Sequence, residues 1–100
     1  RSGDIGLGIP FNIASYSLFT IILAKHCDLI PDEFVHFIGN AHIYENHVDA
    51  LKMQINRVPL PFPKIQIKNI YDNINDYNIN DIEWISNYEY LDSIKMDMVA

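Results

Sequence analysis

One cysteine in 100 residues leaves no internal disulfide and no multi-cysteine zinc site. Basic residues are scarce too: seven Lys and Arg stand against thirteen Asp and Glu, a net charge of −6. A general nucleic-acid binder carries a basic face, so that class is disfavoured and at most a local basic site is left. Long apolar runs are missing. The longest, residues 13–23, is broken by Ser15, Ser17 and Thr20, whereas a span needs about 20 predominantly apolar residues. On that reading no membrane span is present, and no charged segment followed by an apolar core marks a secretory signal. The chain opens at Arg1 and not at Met, which is read as one piece of a longer polypeptide.

What is there is ordinary globular composition, 49% hydrophobic, 20% charged and 12% aromatic, enough for one small domain spanning residues 1–100. At this size the buried fraction is modest, so absent polypeptide would leave apolar faces uncovered. Gly3, Gly6 and Gly8 punctuate the first eight residues. Pro10 fits the first turn of a helix. Phe11, Ala14, Leu18, Ile21 and Ile22 follow at helical spacing, and Ile13, Tyr16, Phe19 and Leu23 make the other face apolar as well. The pattern predicts a buried helix over 10–27.

Residues 34–38 are aromatic and β-branched and read as a strand, with residues 41–44 as more strand or its exit. Asn46 fits an N-cap for a helix carrying Val48, Leu51 and Ile55, with Arg57 at its cation-favouring end. Pro59, Pro61 and Pro63 mark a linker. Residues 64–68 alternate polar and apolar as a half-wet strand does. The Asn-, Asp- and Ile-rich stretch 69–80 has poor periodicity and no visible internal repeat, and residues 81–85 read as a strand. Alternating strands and helices favour a mixed α and β domain.

Arg1-Ser2-Gly3-Asp4, then Leu7-Gly8-Ile9-Pro10-Phe11-Asn12-Ile13-Ala14-Ser15-Tyr16, closely resembles thymidylate synthase. His42-Ile43-Tyr44 with Asn46-His47, then Arg57, the Pro-Phe-Pro at 61–63 and the Met-Asp-Met near the end fit the same family. The resemblance covers essentially the whole chain. It implies an α+β fold: a mixed β-sheet packed by a long buried helix, as the C-terminal portion of the family's domain. It further implies reductive methylation of dUMP to dTMP with 5,10-methylenetetrahydrofolate, releasing dihydrofolate, in a cytoplasmic homodimer. A dihydrofolate reductase domain fused upstream is one arrangement found among protist relatives. Two other readings stand beside this one: a dUMP or dCMP hydroxymethylase of the same superfamily, and a non-catalytic remnant serving as a binding or dimerisation module.

An amide side chain offers one acceptor and two donors, which matches the O4 acceptor and N3 donor of uracil. The resemblance implies that Asn12 reads that edge. A related dCMP hydroxymethylase carries Asp there. The plain structural alternative is a helix-start residue. Arg1 and Ser2 are implied to hold the 5′-phosphate, for which guanidinium and hydroxyl are suited. His42 and Tyr44, two apart in an extended segment, share a face and are implied to grip the deoxyribose 3′-hydroxyl. Core packing is their ordinary alternative. Asp4 and Asn12 are implied catalytic participants, Asp4 through pterin contact or water-mediated proton transfer. Asp4, Leu7, Gly8, Phe11, Val99 and Ala100 form the implied folate set, with turn and core roles as the alternatives for Asp4, Leu7 and Phe11. Ser15 and Tyr16 are expected to support the nucleotide site from the helix.

Cys27 is not read as the nucleophile. Its neighbour His26 does not face it on a helix, and the family's Pro-Cys-His segment lies upstream of Arg-Ser. Cys27 is expected to be a small buried residue. His36, His42 and His47 lack a recognised zinc spacing, so no metal is expected. On this reading the 100 residues alone do not catalyse.

Overall fold

In the computed structural model, residues 2–99 are described. The element order is β1 (Gly3–Asp4), α1 (Gly8–His26), β2 (Ala41–His42), α2 (Val48–Ile55), β3 (Ile65–Ile67) and β4 (Ile82–Trp84). The chain divides into two units. One takes the N-terminal stretch through Ser15, Val35–Pro59 and the stretch from Leu91 onward; the other takes Tyr16–Phe34 and Leu60–Tyr90. The α+β class holds, but a single mixed sheet does not form. The described residues make two separate two-stranded sheets, one parallel and one antiparallel.

In the first unit, β1 and β2 run parallel, with Gly3 opposite Ala41 and Asp4 opposite His42. Gly3 N–H donates to the Asn40 carbonyl at 2.7 Å and Ile5 N–H to the His42 carbonyl at 3.0 Å. Asn40 contributes its backbone carbonyl to this ladder, and that contribution is indifferent to the side chain. After β2 the chain coils into a 3-10 turn, Glu45–His47, and passes straight into α2. Asn46 is therefore not the cap. The N-cap of α2 is His47, already in the helical region at φ −98°, ψ −11° and without a side-chain capping bond. A helix entered from another helical turn needs no extended capping residue.

Residues 34–38 form no strand. Among the described residues the only ladders are β1–β2 and β3–β4, and Val35 and Phe37 are exposed. β-Propensity records fit to a half-buried pleated surface, and among the described residues no neighbouring strand pairs with this segment.

In the second unit, β3 and β4 pair antiparallel with Ile65 opposite Trp84, Gln66 opposite Glu83 and Ile67 opposite Ile82. The expected alternation is present: Ile67 is buried while Gln66 is exposed and donates to Glu83 at 2.7 Å. The stretch before β4 does contain a repeat, contrary to expectation. Asn-Ile-Asn-Asp occurs at 73–76 and again at 78–81, and each copy forms a 3-10 turn. Asn73 Oδ1 accepts from Asn75 N–H at 2.9 Å and Asn78 Oδ1 from Asn80 N–H at 3.0 Å. The poor periodicity is that of short Asn-capped turns.

The second copy ends on Asp81, only 3% exposed. Its carboxylate accepts from the Tyr71 hydroxyl at 2.7 Å, the Asn69 amide at 2.8 Å and Asn78 N–H at 2.8 Å. The Tyr71 hydrogen bond, then those of Asn69 and Asn78, hold the Asp81 carboxyl below its ordinary range. The same carboxylate pushes the Tyr71 phenol up.

α1 runs from Gly8 to His26 and carries Pro10 in its first turn, where a missing N–H costs nothing. It ends in a Schellman motif. Leu29 N–H reaches the Ala24 carbonyl at 2.8 Å, Asp28 N–H the Lys25 carbonyl at 3.3 Å, and Asp28 takes φ 54°. The expected burial is not found in this chain. Ile9 and Ala24 are buried, but Phe11, Ile13, Tyr16, Phe19 and Leu23 are exposed. By length and composition α1 could cross a membrane, which the broken run at 13–23 had argued against. Hydroxyls interrupt that run weakly, because a helix can absorb them: Thr20 Oγ1 donates to the Tyr16 carbonyl at 2.8 Å. Core helices of soluble proteins have the same length and composition. Cys27 is exposed and not buried, since it lies at the helix cap where the chain leaves α1.

Candidate functional site

The Asp4 carboxylate organises the turn between β1 and α1. Its Oδ1 accepts from Gly6 N–H at 3.0 Å, and its Oδ2 accepts from Leu7 and Gly8 N–H at 3.3 Å each. These are donors that a helix start leaves without intrahelical partners, and an anion there is favoured by the helix dipole. The turn-aspartate role is thus physically present. An ionised carboxylate offers about four lone-pair sites; three are taken here, and the free one is on Oδ1.

Beside this turn lies an open cavity of about 340 Å³ lined by Asp4, Leu7, Gly8, Phe11, Tyr44, Met98 and Val99. Three segments far apart in sequence supply these walls. Five residues of the expected folate set line it together, joined by Tyr44 from the expected nucleotide set. The lining is mainly apolar with one carboxylate, a composition suited to a flat heterocycle with N–H groups. A Cβ added at Gly8 would meet Asp4 Cβ at 3.5 Å, ordinary contact, so the chain itself leaves room for a side chain at that position.

His42 and Tyr44 share a face, as their spacing requires, with rings 5.0 Å apart at 85°. His42 does not line the cavity but packs against Tyr44, which does. Asn12 is exposed, on the fifth residue of α1, and not at its cap. By helical spacing it follows Gly8 on the same side, four residues on. Its side chain makes no hydrogen bond to another described residue. Ser2 is exposed. Tyr16 belongs to the other unit and stacks on Phe34 at 6.1 Å. Arg1 and Ala100 lie outside the described residues.

One residue at this site was not assigned a role from the sequence. His47 is completely buried. Its Nε2 lies 2.6 Å from the Asp97 carbonyl, and its Nδ1 is 3.9 Å from Asp4 Oδ1 without a hydrogen-bond partner among the described residues. Its ring meets Tyr44 edge-on at 5.5 Å. The signal available was the Asn46-His47 pair within the stretch that carries the resemblance, where His47 was weighed with His36 and His42 for a zinc spacing and given no other role. Arg57 stands just past the C-cap of α2, at the helix end expected for it, and makes a further contact. Its guanidinium donates to the Asp92 carbonyl at 2.7 Å, tying the residues after α2 to the C-terminal stretch.

Comparison with known proteins gives one consistent result. The family model described as thymidylate synthase matches residues 1–100. The chain is 53% identical over its whole length to the bifunctional dihydrofolate reductase-thymidylate synthase of Plasmodium chabaudi, covering 17% of that protein. It is 51% identical over 98 residues to the thymidylate synthase of Saccharomyces cerevisiae, with 98% of this chain and 32% of that protein covered. It is 48% identical over 100 residues, its whole length, to the human thymidylate synthase, covering 32% of that protein. The chain thus spans about a sixth to a third of the length of these relatives.

Proposed function

The chain belongs to the thymidylate synthase family, and from that premise we propose that the protein carrying it converts dUMP to dTMP, with 5,10-methylenetetrahydrofolate as donor of both the carbon and the hydride. The observation that carries this reading is the meeting of Asp4, Leu7, Gly8, Phe11, Tyr44 and Val99 at one cavity. Substrate recognition is the contribution of these 100 residues. Asn12 pairs its amide with the uracil edge. His42 and Tyr44 hold the sugar hydroxyl, and Arg1 and Ser2 hold the phosphate. The free lone pair of Asp4 Oδ1 accepts one N–H of the pterin, whose ring lies among Leu7, Gly8 and Phe11.

The nucleophile on this reading is a cysteine of a Pro-Cys-His segment preceding Arg1. Thiolate addition at C6 makes C5 of the pyrimidine nucleophilic and divides one hard step into easier ones. The residues described here hold the two reactants at attacking distance. Val99 and Ala100 close the folate side and exclude water. The protein acts as a homodimer, and the exposed apolar side chains of α1 are surface for further polypeptide to cover.

Asn12→Asp in the full-length protein tests the recognition step. Losing the one donor that meets the uracil O4 while placing a charge against it is expected to lower kcat/KM for dUMP roughly 100-fold, as an acceptor left unpaired in the site would, and to raise activity on dCMP. Unchanged dUMP turnover would remove Asn12 from the site. Carbon transfer to dUMP without dihydrofolate as product would assign the hydroxymethylase reaction instead.

A further inference from the structure

We propose that His47 is a positioning residue that fixes the C-terminal segment against the wall of the cavity, acting through the backbone of Asp97. The proposal rests on the folate reading of that cavity only for its kinetic consequence. The argument for the contact itself is geometric. A carbonyl oxygen only accepts, so His47 Nε2 carries the proton and donates to Asp97 at 2.6 Å. Met98 and Val99, the next two residues, line the cavity. The opposite edge of the ring faces Asp4 Oδ1 at 3.9 Å, and its side meets Tyr44 at 5.5 Å. The imidazole therefore touches three of the segments that build the cavity, while it does not line the cavity itself.

The fit is tight on the side of the turn. A Cβ at Gly6 would stand 2.5 Å from His47 Nδ1, and no glycine among the described residues has a positive φ. Gly6 is thus required for space and not for backbone conformation. A flat ring wedged between the Asp4 turn and residue 97 has little freedom to move, so the position of the turn sets the position of the C-terminal segment. Arg57, donating to the Asp92 carbonyl at 2.7 Å, holds the same segment five residues earlier. Between these two anchors the segment's described ion pair, Lys95 with Asp97 at 3.7 Å, is solvent-exposed and contributes little.

Three variants of the full-length protein decide the matter: His47→Gln, whose amide nitrogen reaches where Nε2 stands, His47→Asn, which is too short, and His47→Leu, which cannot donate. Amide hydrogen exchange of residues 91–99, measured without ligand, is expected to quicken about tenfold in the Leu and Asn variants, the effect of one lost intramolecular hydrogen bond. The Gln variant is expected to stay close to the native protein. KM for methylenetetrahydrofolate should rise with the exchange rate while the dissociation constant of dUMP holds. Native exchange in the Asn variant, or a Gln variant as impaired as the Asn one, would overturn the proposal. So would an equal loss of dUMP and folate binding. Should none of the proteins form dTMP, the synthase reading fails, and the exchange rates still judge the contact.

Discussion

Gly6 and Gly8 are two residues apart in one turn and answer to different constraints. At Gly6 an added methyl would collide with the buried His47 ring at 2.5 Å. Gly6→Ala is expected to cost about 1–3 kcal/mol, the usual penalty for overpacking a closed site. At Gly8 the same methyl meets only ordinary contact, and Ala is the better helix former by up to about 1 kcal/mol. Gly8→Ala should therefore leave thermal stability equal or higher while raising the KM for the folate, because the methyl enters space proposed for the pterin. Denaturation and steady-state kinetics on both variants of the full-length protein separate the two. A stable Gly6→Ala protein would show that the His47 ring can yield.

At the scale of the element, two features carry stability that pattern alone did not reveal. The C-terminus of α1 places Asp28 at φ 54°, where an L side chain is strained and glycine is not. Asp28→Gly is expected to raise stability by roughly 0.5–1 kcal/mol; a loss on thermal melting would mean the aspartate side chain offsets its own strain. The turn that ends on Asp81 behaves as a pH-sensitive tie. Its depressed carboxyl contributes stability above the ordinary carboxylate range, lost as pH falls through the depressed value. The raised Tyr71 phenol contributes below about pH 10, the ordinary tyrosine value, and that contribution is lost as pH rises through the higher folded value. Tyr71→Phe removes the largest single cause of the Asp81 shift, so its denaturation midpoint should depend less on pH at both ends than that of the native protein. Identical acid and alkaline limbs in the two proteins would show that the tie carries no stability.

Across the molecule the dominant feature is uncovered apolar surface. Ile30, Phe37, Phe62 and Met98 are at least 90% exposed, and Phe11 is 74% exposed. Apolar area in this amount marks surface that another chain or segment covers, or an aggregation liability. The 100-residue chain produced alone is expected to bind an apolar dye and to melt without a sharp calorimetric transition. A single cooperative transition with no dye binding would show that the core around Ile9, Ala24 and Ile67 is sufficient.

The sequence by itself determined the elements whose cues are local. α1 was legible from its apolar spacing and Pro10, β3 from strict alternation, β4 from its β-branched and aromatic run, and the family from the unbroken stretch between Leu7 and Tyr16. Five of the residues that the resemblance implied for folate line one cavity, but no local cue in the sequence places Asp4 near Val99. Tertiary structure decided the rest, because those outcomes depend on partners distant in the chain. Residues 34–38 had strand composition but no strand to pair with. Cys27 had a buried type but a cap position. His47 showed its importance only when folding placed Gly6 on one side of its ring and the carbonyl of Asp97, fifty residues later, on the other. Periodicity reports which face of an element is apolar; what that face meets is set by segments that no local window contains.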